Sequence, residues 1–283
     1  MNKIDILIAT HNGEKYLAEQ LNSLLEQTYQ NWQAIIHDDN STDNTSHILR
    51  DYASRYPEKF YLIDDNTSFR CPKENFSHLM HFSKSDYLMF CDQDDVWLPN
   101  KVELTLLKML EVEKKQKSRP IIVHSDLKIV DHNLKVIAES MSEFQKIPTN
   151  LNTLEQILAK SSVTGCTMML NKKAKEVSMP IHKLSIMHDW WVAAKVLQNK
   201  GEIAYINIPL VLYRQHHSNS VGAKKINILT CLTRILRLRQ SLKSFYYGWK
   251  QASAIDPNIN IYSFSKLKCL LYIQCTLNKK RLD

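Results

Sequence analysis

The chain has 283 residues, 44% of them hydrophobic and 23% charged, enough for one large globular domain or a domain with an appendage. Five glycines leave no flexible low-complexity segment, and six cysteines without a short paired spacing argue against a disulfide framework or a structural zinc site. The net charge of +8 is concentrated: residues 224–283 carry twelve Lys or Arg against two Asp, a net of +10, so residues 1–223 sum to −2. Basicity confined to one end excludes a nucleic-acid-binding body.

Residues 4–10 read as a buried strand, and Leu17, Leu21, Leu24 and Leu25 then recur at helical spacing. A second strand over residues 32–37 runs into Asp38-Asp39-Asn40-Ser41-Thr42-Asp43, which supplies the turn and cap of a helix through Ile48, Leu49 and Tyr52. Residues 60–63 form a third strand, a helix spans residues 76–82, and an apolar strand over residues 87–91 follows. Pro99 and Asn100 open a helix through Leu110, and residues 121–125 form a further strand. Residues 127–130 and 136–137 predict a hairpin, residues 151–158 a helix, residues 167–170 a strand, residues 189–197 a helix and residues 203–213 an extended segment. The alternation predicts an α/β fold, a mostly parallel central sheet sandwiched by helices.

The last stretch differs. Ile228, Leu232, Ile235, Leu238, Leu242, Phe245 and Trp249 alternate with arginines and lysines, the pattern of a basic amphipathic helix. Asp256-Pro257-Asn258 breaks it, and a second apolar, basic segment runs over residues 259–282. The expected division is a catalytic domain over residues 1–223 and a helical tail over 224–283. The tail can lie on an anionic membrane surface or pack on the domain or a second subunit, which leaves a homodimer open. No signal-like apolar stretch opens the chain, and no window of about 18 apolar residues occurs, so the expected location is cytoplasmic, peripheral at the inner face of the membrane.

The densest chemistry lies where the strand over residues 87–91 ends, at Asp92-Gln93-Asp94-Asp95. Carboxylates crowded there repel one another unless a cation joins them, and their hard oxygens suit Mg²⁺ or Mn²⁺ bridging to a diphosphate. Asp38 and Asp39 end the second strand, at the sheet edge where α/β proteins bind ligands, although turn capping is an equally good role. Thr10-His11-Asn12-Gly13-Glu14 follows the first strand and can frame a nucleotide, but contains neither a GxGxxG nor a Walker lysine. In His188-Asp189-Trp190-Trp191 the carboxylate is a candidate general base and an aromatic a candidate sugar platform; helix capping and core packing are the bland readings. Arg214, His216 and His217 meet in a late polar loop that suits a metal ligand and a phosphate contact.

Together these blocks resemble family 2 glycosyltransferases of the nucleotide-diphospho-sugar transferase fold. The resemblance rests on residues 8–13, 38–43 and 92–101, on Thr164-Gly165-Cys166, on residues 188–191 and on Tyr213-Arg214-Gln215-His216, and it does not cover the tail. It implies donor contacts from Thr10, Asn12, Glu14, Asp39, Asp92, Gln93 and Arg214, a Mg²⁺ or Mn²⁺ ion held by Asp94 and His216, and Asp189 as catalytic base. Trp190, Gly165 and Cys166 would then line the acceptor side, with the segment around Asn75 near the sugars. His217 departs from the small residue of similar proteins. The Asp-Gln-Asp-Asp-x-Trp and His-Asp-Trp-Trp blocks are similar to those of bacterial rhamnosyltransferases of surface-polysaccharide synthesis. That similarity implies inverting transfer from a nucleotide-diphosphate sugar, dTDP-rhamnose first and a UDP-hexose next, to a glycan or lipid-linked glycan. A non-catalytic sugar- or nucleotide-binding module on the same fold is the alternative.

Overall fold

The computed structural model describes residues 2–115, 118–149, 151–216 and 238–279. The strands are β1 (Ile4–Thr10), β2 (Trp32–Asp38), β3 (Phe60–Ile63), β4 (Tyr87–Asp92), β5 (Val96–Trp97), β6 (Ile121–Val130), β7 (Val136–Ala138), β8 (Met168–Asn171) and β9 (Glu202–Arg214). They form one sheet in the order β3-β2-β1-β4-β8-β6-β9-β5, with β7 paired to β6. The run β3-β2-β1-β4 is parallel, as alternation of strand and helix requires. Beyond it β8 inserts antiparallel between β4 and β6, and β9 returns parallel to β6.

Both sheet faces are covered, so the central strands read as continuous apolar runs. Ile4, Ile6 and Ile8 of β1 share one core with Leu17, Leu21 and Leu24 of α1 (Leu17–Leu25), Leu49 of α2 (Thr45–Arg55) and Val102, Leu106 and Met109 of α4 (Lys101–Lys115). Leu7, one residue out of phase, faces the opposite core with Phe76 and Leu79 of α3 (Pro72–Phe82), Leu158 of α6 (Leu154–Ala159) and Val192 and Val196 of α8 (His188–Gln198). Two short helices, α5 (Met141–Phe144) and α7 (Lys172–Ser178), lie between these elements in the chain. α6 starts later than its apolar pattern suggests because Thr153 caps it: its hydroxyl accepts from Gln156 N while the Gln156 side chain returns to the cap backbone.

The tail yields two helices, α9 (Leu238–Ile255) and α10 (Ile261–Lys279), on either side of the Asp256-Pro257-Asn258 break. The boundary at 223/224, His217, and Ile228, Leu232 and Ile235 lie outside the described residues. What is described docks on the domain. Ala252, Ile255, Phe264 and Leu271 are buried in the core that also holds α6 and α8. Gln251 Oε1 accepts from Ile186 N at 2.6 Å, and Gln198 Nε2 donates to the Ile255 carbonyl at 2.5 Å. The opposite side of the tail carries Leu242, Tyr246, Tyr262 and Tyr272 exposed. Among the described residues no helix is long and apolar enough to cross a membrane.

Candidate active site

Register aligns three functional strand ends. Thr10 closes β1 opposite Asp38 of β2, and Ala9 pairs with Asp92 at the end of β4. The Thr10 hydroxyl donates to Asp38 Oδ1 at 2.8 Å, and Asp38 also accepts from the Ser41 and Ser46 hydroxyls. Asp39 is buried, and its Oδ1 accepts from Ser68 Oγ at 2.8 Å and Phe69 N at 2.7 Å, so it ties residues 68–69 over the sheet edge.

The segment after β1 is held from two sides. Asn12 adopts a positive φ of 48°, a conformation Asn tolerates, and its Oδ1 accepts from Thr42 N at 2.8 Å. Glu14 accepts from Asn44 N and Nδ2, each at 2.9 Å. Gln93 clasps the backbone of His11, accepting from its N–H at 2.8 Å and donating to its carbonyl at 2.9 Å. A Cβ on Gly13 would come within 2.4 Å of Gln93 Oε1, so any larger residue there would displace the Gln93 amide from His11. Asn12, Glu14 and Gln93, all expected to face the donor, thus spend hydrogen bonds on fixing the loops that frame the edge.

The acidic turn is secured from the far end of the sheet. The short β5 pairs antiparallel with β9, Val96 opposite Leu212, which delivers Arg214 and His216 to the turn. Arg214 is 2% exposed; Nε donates to the Asp94 carbonyl and Nη1 to the His132 carbonyl, both at 2.9 Å, and Nη2 pairs with Glu19. Its guanidinium also lies over the Tyr16 ring at 4.4 Å. These contacts set Arg214 beneath the turn as a support. His216 Nε2 lies 2.8 Å from Asp94 Oδ2, with its ring against Tyr16 at 4.9 Å between centroids. Beside the pair opens a depression of about 510 Å³ lined by Lys15, Tyr16, His132, Gln215 and His216.

Two acidic groupings compete as metal ligands. Carboxylate oxygens of Asp92 and Asp95 and the Cys166 sulfur lie within 4.8 Å of one another. Both the Asp95 carboxyl and the Cys166 thiol lie in the interior, and burial pushes both well up in the absence of a cation. His216 lines the open depression and Asp94 pairs with it, so the two offer a carboxylate and an imidazole, a donor set that fits Mg²⁺ or Mn²⁺ completed by phosphate oxygens and water. Asp92 is raised to about 7, first by burial and then by the charges of Asp94 and Asp189, with Lys101 opposing.

Asp189 sits in the first turn of α8. Its Oδ2 accepts from Gly165 N at 3.0 Å and its Oδ1 from Trp190 N at 2.6 Å, fixing the carboxylate by two backbone donors. Gly165 opens a 3₁₀ turn (Gly165–Thr167) whose Cys166 reaches the Asp95 side, so the acceptor-side block and the acidic turn are in contact. Trp190 goes elsewhere: its indole N–H donates to the Ile157 carbonyl at 2.5 Å and Lys268 of α10 lies over its ring, a packing role between α6 and the tail.

Several residues at the site escaped sequence reasoning. Lys101 is fully buried, its Nζ 3.4 Å from the Trp97 ring centre, and burial lowers it to about 8 despite the nearby acids. It places a cation under Asp92 and Asp95, and its position four residues before Thr105 and eight before Met109, on the buried stripe of α4, was the available signal. His188, between Phe76 and Phe90 at 4.3 and 4.7 Å, is kept neutral by burial and buttresses Gly165.

A sheet of this order, with an acidic turn at the end of β4 and a carboxylate near it at the start of α8, defines the class of nucleotide-diphospho-sugar transferase folds. The profile of glycosyl transferase family 2 matches residues 5–176, and the chain belongs to that family. It is 28% identical over 232 residues to the dTDP-rhamnosyl transferase RfbG of Shigella flexneri, covering 76% of this chain and 74% of that protein. It is 24% identical over 220 residues to the UDP-Glc:alpha-D-GlcNAc-diphosphoundecaprenol beta-1,3-glucosyltransferase WfgD of Escherichia coli, covering 77% of this chain and 78% of that one. Among solved structures, Staphylococcus aureus TarS 1–349 in complex with UDP-GlcNAc superposes with a TM-score of 0.63 at 18% identity, covering 95% of this chain and 71% of TarS 1–349. The mannosyltransferase PcManGT of Pyrobaculum calidifontis, with GDP-Man and Mn²⁺, gives 0.58 at 14%, covering 98% and 75%. At these identities the structural likeness concerns the fold.

Proposed function

We propose that this chain is an inverting, metal-dependent hexosyltransferase that moves a sugar from a nucleotide-diphosphate donor to a glycan carried on a lipid during cell-surface polysaccharide synthesis. The reading is supported by the nearness of Asp189 to the Asp92–Asp94 turn: Gly165, which donates to Asp189, is followed by Cys166 beside Asp92 and Asp95, and the charges of Asp94 and Asp189 add to burial in pushing the Asp92 carboxyl up. A base on one side of a sugar and a diphosphate seat on the other is what a single displacement needs, and such a displacement inverts the anomeric carbon. The similarity to RfbG favours dTDP-rhamnose, with a UDP-hexose next by similarity to WfgD; the diphosphoundecaprenol of the WfgD name favours a lipid-linked acceptor.

Within this reading Asp94 and His216 hold Mg²⁺ or Mn²⁺ and Asp92 contacts ribose or metal. When bound, the ion supplies charge neutralisation on the departing diphosphate. Asp39 and the segment from Thr10 to Glu14 border the nucleotide, with Gln93 and Arg214 supporting them. Asp189 takes the proton of the acceptor hydroxyl; its two backbone hydrogen bonds orient the carboxylate and leave lone pairs for that proton. Gly165 and Cys166 shape the acceptor side, while Trp190 packs between α6 and the tail. Residues 1–223 act as the catalytic unit, α9 and α10 of the tail rest on it, and their exposed tyrosines and lysines contact anionic lipid at the inner membrane face.

A panel of dTDP-rhamnose, UDP-glucose, UDP-galactose, UDP-N-acetylglucosamine and GDP-mannose, each with Mn²⁺ or Mg²⁺, tests the donor by thermal shift. Stabilisation by one donor only in the presence of metal is expected. No response to any donor would count against the transferase reading and favour a degenerate module.

A further inference from the structure

Across the sheet edge from the catalytic groups, His37, Asp65 and His78 offer three ligand atoms within 4.8 Å of one another. His37 ends the buried part of β2 and is 2% exposed; His78 stands on α3 and Asp65 on the loop between β3 and α3. His37 Nδ1 faces Asn75 Oδ1 at 2.9 Å, while Asn75 Nδ2 donates back to the His37 carbonyl, which identifies Oδ1 as the acceptor. His37 therefore carries its proton on Nδ1, and its Nε2 lone pair points into the cluster. What Nε2 meets there is oxygen: Asp65 Oδ1 at 3.4 Å and Thr67 Oγ1 at 3.1 Å. The Thr67 hydroxyl sits between Nε2 and the carboxylate, 2.8 Å from Asp65 Oδ1. His78 Nε2 lies 2.6 Å from Asp65 Oδ2.

We infer that His37, Asp65 and His78 form a binding site for a divalent transition ion of the Zn²⁺ class, separate from the catalytic ion. Three ligand atoms from three separate elements converge here, and in the metal-free protein the His78–Asp65 contact is a hydrogen bond. A cation joins all three at once, taking the place of the His78 proton. Tetrahedral zinc with ligands at about 2.1 Å separates them by roughly 3.4 Å, the His37–Asp65 spacing here. The Asn75 carbonyl oxygen on Nδ1 is the outer hydrogen bond that metal-bound imidazoles carry. Two imidazoles select against Mg²⁺. The Asp65 loop continues to Ser68 and Phe69, which hydrogen-bond Asp39, so an ion here fastens the cover of the nucleotide edge.

The test uses the full-length protein, freed of metal with a chelator and titrated calorimetrically with Zn²⁺ in an Asp94→Asn background that disables the catalytic site. One equivalent is expected to bind in that background. Binding should weaken more than tenfold in His78→Ala and Asp65→Asn, side chains partly open to solvent whose loss leaves the metal-free melting temperature close to the parent. Zn²⁺ should also slow tryptic cleavage after the exposed Arg70 in the parent and not in these variants. Absence of Zn²⁺ binding in Asp94→Asn, or undiminished binding in His78→Ala, would overturn the site. Unslowed cleavage at Arg70 would overturn its hold on the loop. None of these readouts depends on sugar transfer.

Discussion

His216 Nε2 and Asp94 Oδ2 lie 2.8 Å apart although 122 residues separate them in the chain. The contact exists because β5 and β9 pair antiparallel and Arg214, two residues before His216, hydrogen-bonds the Asp94 carbonyl. If this pair seats the catalytic ion, His216→Ala should weaken metal-dependent donor binding by roughly 10–100-fold. Asp94→Asn should abolish it. Calorimetric titration of donor with and without Mn²⁺ reads both, and unaltered metal dependence in Asp94→Asn would contradict the assignment.

Gly165 lies under His188 and beside Asp189. A Cβ there would come within 2.8 Å of His188 Nε2 and 3.6 Å of Asp189 Cβ, so the start of α8 must shift in Gly165→Ala. A displacement of this kind costs about 10²-fold in rate when it misplaces a reacting group. The expected result is a large fall in kcat with donor affinity retained. Equal loss of both would indicate general misfolding.

His124 gives a pH signature away from the site. It is 2% exposed on β6 beside Tyr205, and burial lowers it to about 4 against the pull of Asp126. The unfolded chain takes up this proton near pH 6.5 and the folded chain only near 4, so stability is lost as pH falls through that window. The loss is on the order of 3 kcal/mol at full extent. In His124→Gln the slope of unfolding free energy between pH 6.5 and 4 should flatten, measured by urea titration at stepped pH.

The docked tail is testable at Phe264, which is fully buried against Phe245 with ring centres 5.2 Å apart. Phe264→Ala should cost about 3–5 kcal/mol of unfolding free energy. Unchanged stability would mean that α10 is not part of the folded unit.

Much of this was readable from residue pattern because the strands of a doubly covered sheet are continuous apolar runs; β1, β2 and β4 begin and end within a residue of their apolar segments. The placement of the acidic turn at a strand end and of Asp189 at a helix start was legible for the same reason, each adjoining a strong periodic signal. Arg214 and Gln93 were not legible as supports, since their partners are backbone atoms 120 and 82 residues away, and a backbone carbonyl has no sequence signature. The antiparallel insertion of β8 was hidden because four residues of strand do not reveal their direction. Trp190 was ambiguous because an aromatic beside a base packs equally well on a sugar or on a helix such as α6.

The central claim is that Asp189 deprotonates the acceptor opposite a metal-held nucleotide diphosphate. The most direct test measures nucleoside diphosphate release by the full-length protein with the donor that stabilises it, Mn²⁺ and an acceptor, in wild type and Asp189→Asn. The account predicts metal-dependent release by wild type and a loss of about 10²–10⁴-fold in Asp189→Asn, with donor affinity unchanged. Release at the wild-type rate by Asp189→Asn would contradict it.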